Sequence, residues 1–245
     1  MAISPILEII NIKKTFVNNL FQNHIALSNV NFTVSEGETF GFLGCNGAGK
    51  TTLLKIILGF LRPDEGSVKI FNTEITSIET KKHVGFLPEN PYFYKHLTGR
   101  ELLFFVGNLF NLNKKTILQR SEELLSKVGL TKFADVSLGK YSKGMLTRIG
   151  LAQALINDPK LILLDEPMSG LDPLGRKMVQ EIMRDLKKQG KTLFFSSHIL
   201  SDVENICDRV GILHKGKLIT TGSLSELLKQ GETLENFFIS TIQEA

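Results

Sequence analysis

Apolar positions along this chain fall into two rhythms. Glu38 to Leu43, Leu161 to Asp165 and Thr192 to Ser196 are short runs with little polar interruption, the pattern of strands covered on both faces. After the first run, Lys50 to Phe60 repeats apolar residues at helical spacing. After the second, Pro173 to Lys188 does so and stops at Gly190. Val84 to Leu87 is a further strand before Pro88, and Arg209 to Leu213 and Lys217 to Thr221 form a last pair around His214-Lys215-Gly216. Near the start, Ile6 to Ile12 and the partly alternating Ala26 to Val34 read as strands joined by turns. Pro63-Asp64-Glu65-Gly66 is a turn before the strand-like Ser67 to Phe71.

The middle of the chain is helical, from about residue 97 to 157. Thr98-Gly99-Arg100-Glu101 is a capping box that opens the run Leu102 to Phe110. Ile117, Leu118, Leu124, Leu125 and Val128 form a stripe on Lys114 to Val128, with Gly129 placed to end the helix. Ser223 to Glu226 caps another helix, and Leu234, Phe237, Phe238 and Ile242 make an apolar stripe expected to dock on the body. The pattern predicts an α/β fold in a single domain, residues 1–245, with no internal repeat. Residues 1–80 and 158–222 are expected to form the α/β core with an N-terminal antiparallel β-subdomain. About 81–157 form an inserted helical subdomain, and 223–245 form C-terminal helices.

Composition narrows the class. A hydrophobic fraction of 42% and a charged fraction of 22% are those of an ordinary globular chain. No apolar run approaches the roughly 18–20 residues a membrane helix needs, and the start lacks the basic patch and long apolar core of a signal peptide. A cytoplasmic location is expected. Cys45 and Cys207 are the only cysteines, without a CxxC or His/Cys cluster, so neither a disulfide framework nor a zinc site is expected. Residues 81–150 carry twelve Lys and Arg against five Asp and Glu. That surplus fits an anionic surface, such as lipid, and equally fits a solvated face. It lacks the aromatic interleaving of single-strand nucleic-acid binding.

The chemistry is concentrated at Gly44-Cys45-Asn46-Gly47-Ala48-Gly49-Lys50-Thr51, which spells G-x-x-x-x-G-K-[ST] between a strand and a helix. Glycines let successive backbone N–H groups turn onto phosphate oxygens. Lys50 reaches the β- and γ-phosphates, and the Thr51 hydroxyl can hold Mg²⁺. Thr52 continues the helix start. Cys45 is expected to pack, or to present a reactive thiol beside the helix N-terminus. Downstream, Leu161 to Leu164 delivers Asp165 and Glu166. A buried strand ending in Asp can place a carboxylate beside Mg²⁺, and Glu166 is then poised to polarise a water against the γ-phosphate. Taken alone, the pair also fits two solvated turn carboxylates.

With Pro167 and Ser169-Gly170-Leu171-Asp172 following, the chain resembles the nucleotide-binding subunits of ATP-binding-cassette (ABC) proteins over nearly its whole length. The resemblance implies a P-loop NTPase core with ATP and Mg²⁺ as cofactors, Thr51 and Asp165 on the metal, and Glu166 as catalytic glutamate. His198 resembles the switch histidine that senses the γ-phosphate, though a lone histidine also fits an ordinary surface. Ser142 and Gly144, in Tyr141-Ser142-Lys143-Gly144-Met145, fall where the family carries its signature. Ser142 is in any case a plausible helix N-cap. The family forms a head-to-tail dimer in which Ser142 and Gly144 of one copy would close over ATP held by the other.

Three positions depart from the family pattern. Glu89 stands where the family usually has Gln, which adds negative charge beside the γ-phosphate. Lys143 and Met145 replace Gly and Gln of the signature. Phe16 occupies the place of an adenine-stacking Tyr and keeps the π face, and it also fits a core role. The resemblance is to ATPases of bacterial exporters of the multidrug, sodium or polysaccharide kind. It implies separate transmembrane permease subunits, a second ATPase subunit (a homodimer in the simplest case), peripheral membrane contact on the cytoplasmic side and no nucleic acid. A soluble ABC ATPase acting on ribosomes or DNA, and an ATP-responsive regulatory module, are the rival readings.

Overall fold

A computed structural model of the chain describes residues 5–17, 23–74 and 77–244; the first four residues, part of the start read for a leader, lie outside them. The strands are β1 (Pro5–Val17), β2 (Asn23–Ser35), β3 (Thr39–Leu43), β4 (Glu65–Ile70), β5 (Thr73–Glu74), β6 (Val84–Leu87), β7 (Leu161–Asp165), β8 (Thr192–Ser197), β9 (Arg209–His214) and β10 (Lys217–Ser223). The helices are α1 (Lys50–Ile57), α2 (Ile78–Lys81), α3 (Gly99–Leu109), α4 (Lys114–Lys127), α5 (Lys143–Leu155), α6 (Pro173–Lys188), α7 (Leu200–Glu204), α8 (Leu224–Leu227) and α9 (Leu234–Gln243). The chain folds as two compact units, residues 1–81 with 192–245, and residues 82–191.

The first unit holds an antiparallel sheet in the order β2-β1-β4-β5 and a row β10-β9-β3-β8 in which β3 runs parallel to both neighbours. Every residue of β3 and β8 is buried, which is why both read as unbroken apolar runs. The two layers meet through aromatic rings. Phe32 of β2 lies 5.2, 5.5 and 6.0 Å, centroid to centroid, from Phe40, Phe42 and Phe194. Burying one such ring stabilises by roughly 1.5–3 kcal/mol. β1 is longer than its apolar pattern, reaching Val17 rather than Ile12. Its register shifts twice between Ile9 and Lys14, and Lys13 to Val17 are half-buried or exposed, so alternation no longer marks the strand. In α9 only Leu234 is fully buried, with its N–H donating to Glu204 of α7 (3.2 Å); Phe237, Phe238 and Ile242 are half-buried, a looser docking than the stripe suggested.

In the second unit β6 and β7 pair in parallel with Leu87 opposite Leu164, and α3, α4 and α5 pack around Leu103, Ile117, Leu125 and Ile149, all fully buried. Three helices end in the same way. After α1, α4 and α6 a glycine with positive φ, Gly59, Gly129 or Gly190, is followed by an N–H that reaches back to Lys55, Leu125 or Leu186. α1 therefore stops at Ile57, short of the Phe60 its sequence suggested. Part of the positive surplus is neutralised within this unit. Arg100 pairs with Glu122 and Asp135, and Arg120 and Lys191 both face Asp158.

Candidate functional site

The Gly44–Thr52 segment leaves the buried end of β3 and enters α1. Gly49 takes φ +112°, and a Cβ there would stand 2.5 Å from the Ala26 carbonyl oxygen, so no other residue fits. The Lys50 ammonium folds back over the loop, donating to the carbonyls of Gly44 (2.6 Å) and Cys45 (3.4 Å), and is 6% exposed. Cys45, Asn46, Gly47 and Thr51 are exposed, Gly49 and Thr52 half-buried, Gly44 and Ala48 buried. The packing expected of Cys45 is not found: its thiol is exposed.

The start of α1 differs from that of the longer helices. α3, α4, α5, α6 and α9 close theirs with side-chain caps from Thr98, Asn113, Ser142, Asp172 and Thr233. α1 has neither a side-chain cap nor an acidic residue in its first turn. No carboxylate in its first turn offsets the helix dipole there, which leaves a positive end suited to an anion. His198 follows β8, whose Ser197 lies opposite Leu43 of β3, the last strand residue before the loop. Its ring is exposed. Phe16, on the outer part of β1, is 41% exposed, which removes the core reading.

In the second unit β7 delivers Asp165 and Glu166, only 3% and 8% exposed, so they are not solvated turn carboxylates. Glu166 adopts φ +50°, a left-handed backbone that costs a non-glycine residue about 1 kcal/mol or more. The turn behind it closes through the Ser169 N–H on the Glu166 carbonyl (3.0 Å). Because Leu87 pairs with Leu164, Glu89 leaves β6 at the same edge where Asp165 ends β7; its side chain is exposed. This is the carboxyl edge where parallel strands present their ligand-binding residues.

Ser142 caps α5 by accepting from the Met145 N–H (3.2 Å). Tyr141 before it is anchored by its hydroxyl on the Phe133 carbonyl (2.7 Å), and burial pushes that phenol above its ordinary range. Ser142, Lys143, Gly144 and Arg148 share a cleft of about 440 Å³ with the Gly170–Asp172 turn and the start of α6. Two motifs far apart in sequence are thereby joined. Lys143 lies close against Gly170, where a Cβ would be 3.1 Å from its Nζ, and Leu171 meets Gly144. Nothing in the sequence signals the contact of Lys143 with Gly170, because it depends on the turn of that loop.

Among the described residues no helix is long and apolar enough to cross a membrane, and no group of three or more His, Cys, Asp or Glu side chains is arranged to hold a metal by itself. The ABC transporter family profile matches residues 27–169. An uncharacterised ABC transporter ATP-binding protein of Nostoc sp. is 50% identical over 228 residues, 91% of this chain and 68% of that protein. The bacitracin transport ATP-binding protein BcrA of Bacillus licheniformis is 37% identical over 237 residues, 96% of this chain and 76% of its own length. Among solved structures, the ATP-binding cassette MJ0796, a dimer in a post-hydrolysis state bound to ADP and Pi, superimposes with a TM-score of 0.81 at 27% identity, covering 89% of this chain and 98% of that one. The chain belongs to the ABC transporter family, as one of its ATP-binding and ATP-hydrolysing subunits.

Proposed function

We propose that the chain binds Mg-ATP on the Gly44–Thr52 loop, hydrolyses it with Glu166 as general base, and does so paired with a second copy. The observation that carries this reading is the uncapped start of α1 with the Lys50 ammonium held over the loop. Backbone N–H groups and the dipole supply part of the phosphate site, and Lys50 supplies the cation that answers the β- and γ-phosphates. The Thr51 hydroxyl and the Asp165 carboxylate are hard oxygen donors of the kind Mg²⁺ takes, and would be the residues that hold it. Mg²⁺, when bound, neutralises charge developing on those oxygens.

Glu166 takes the proton of the attacking water as its oxygen approaches the γ-phosphorus. Its strained backbone and buried setting fix the carboxylate rather than leave it to solvent. Glu89, at the same strand edge, orients the water or the metal shell, and His198 contacts the γ-phosphate. Phe16 stacks on the base. Ser142 and Gly144 of the second copy close the site, placing another helix N-terminus on the phosphate. The dimeric relative bound to ADP and Pi supports this pairing.

Hydrolysis drives export through separate transmembrane permease subunits, with the chain held peripherally on the cytoplasmic face of the membrane. The similarity to a bacitracin transport protein supports the transport role. Replacing Lys50 by Ala tests the loop: affinity for a fluorescent ATP analogue should fall about a hundredfold or more, as expected when a buried cation is taken from a triphosphate. Wild-type affinity in a folded variant overturns the assignment.

A further inference from the structure

We propose that Asp64 and Lys14 are positioning residues for the aromatic platform at Phe16, so that affinity for the base of the nucleotide depends on this ion pair. The proposal rests on the reading of Phe16 as the base-stacking ring. The turn that carries Asp64 lies about fifty residues from Phe16 in sequence, yet it grips the strand just before the ring. One carboxylate oxygen of Asp64 accepts from Lys14 Nζ at 2.6 Å and the other from the Thr15 backbone N–H at 2.6 Å. The Asp64 N–H donates to the Lys13 carbonyl at 2.9 Å, and Lys13 pairs with Glu65 at 2.7 Å. The three residues preceding Phe16 are thus each fastened to the Asp64-Glu65 turn.

Lys14 completes the link to the ring. Its ammonium stands over Phe16, 5.7 Å from the ring centroid, within the range of a cation–π contact. The Lys14 side chain is 14% exposed, far less than a solvated lysine, whereas Phe16 projects from the open part of β1 and is 41% exposed. An exposed ring would otherwise sample several rotamers and lose that freedom when a base stacks on it. Held by Lys14, it is ordered beforehand, and the loss on binding is smaller. The Lys14 hydrogen bond, with that from the Thr15 N–H, holds the Asp64 carboxyl below its ordinary value. Phe lacks the hydroxyl by which a Tyr could be tethered, which makes this support more consequential here.

A double-mutant cycle tests the proposal, with Mg-ATP and Mg-tripolyphosphate as probes in titration calorimetry. Phe16→Ala should weaken ATP about tenfold and leave tripolyphosphate, which has no base, unchanged. Asp64→Ala, Asp64→Asn and Lys14→Met should each weaken ATP by about three- to tenfold while Phe16 is present, with tripolyphosphate again unchanged. None should weaken ATP further in the Phe16→Ala background. If Phe16→Ala itself leaves ATP binding intact, the base-platform reading fails and the proposal falls with it. If Phe16→Ala weakens ATP but the Asp64 and Lys14 variants do not, or weaken it equally without Phe16, the proposal alone is overturned. Asp64→Asn keeps an acceptor for Thr15, and Lys14→Met keeps Asp64 with its bond to the Thr15 N–H, so these two carry the test should Asp64→Ala fail to fold.

Discussion

Gly49 and Gly47 lie two residues apart in the phosphate loop and pose different steric problems. Both have positive φ, +112° and +80°, but a Cβ on Gly49 would meet the Ala26 carbonyl at 2.5 Å, whereas one on Gly47 would meet nothing within 4 Å. Gly47→Ala should therefore cost about 1 kcal/mol, the price of the backbone conformation alone. Gly49→Ala should cost clearly more, about 2–4 kcal/mol, because backbone must also move. Urea denaturation of the nucleotide-free protein checks the order; equal losses would mean that the contact at Ala26 relaxes freely. At this scale the motif was legible because G-x-x-x-x-G-K-[ST] specifies side chains directly. The strain at Glu166 was not, since a positive φ in a non-glycine residue leaves no mark on the sequence. Nor was the grip of Asp64 on Lys14, because an ion pair between residues fifty apart requires the sheet register that brings β1 beside β4.

Helix α5 begins with a residue that has a structural task and a proposed functional one. Losing the Ser142 cap on Met145 should cost about 1 kcal/mol of stability. If Ser142 also contacts ATP across the dimer, Ser142→Ala should reduce turnover far more than this, by tenfold or more, with ATP affinity of the isolated copy little changed. Turnover that falls only in step with stability would leave Ser142 a cap. A second element, the turn after α5, carries a pH dependence. Burial raises the Asp158 carboxyl, but hydrogen bonds and charges from Lys191 and Arg120 outweigh it and hold the group below its ordinary value. A folded value below the unfolded one means stability that is present above about pH 4 and lost as pH falls further. Asp158→Asn should thus be less stable than wild type at pH 7, by a gap that narrows as pH falls below about 4; a gap that stays constant or widens on acidification would contradict the sign. Asn tolerates the left-handed backbone at this position, φ +55°, so the comparison isolates charge.

Elements were legible wherever burial is two-sided or a terminator is explicit. β3, β7 and β8 announce themselves as apolar runs, and Gly129 and Gly190 end α4 and α6 as their positions suggested. The outer half of β1, the two-residue β5 and the five-residue α7 escaped notice. They are half-exposed or too short to establish a period, and are specified by partners rather than by their own pattern.

For the molecule as a whole, the phosphate loop and His198 belong to one compact unit, while Asp165, Glu166 and the Ser142 signature belong to the other. In the proposed mechanism all of them act on one nucleotide in a pair of copies. Glu166→Gln isolates that claim, because the amide keeps the shape of the side chain but does not take the proton from water. Size-exclusion chromatography of this variant with Mg-ATP, run beside a turnover assay, is the most direct measurement. The expected result is a shift from monomer to dimer that depends on ATP, with hydrolysis reduced by a hundredfold or more. A monomer at every ATP concentration together with wild-type turnover would contradict both the role of Glu166 and the paired site.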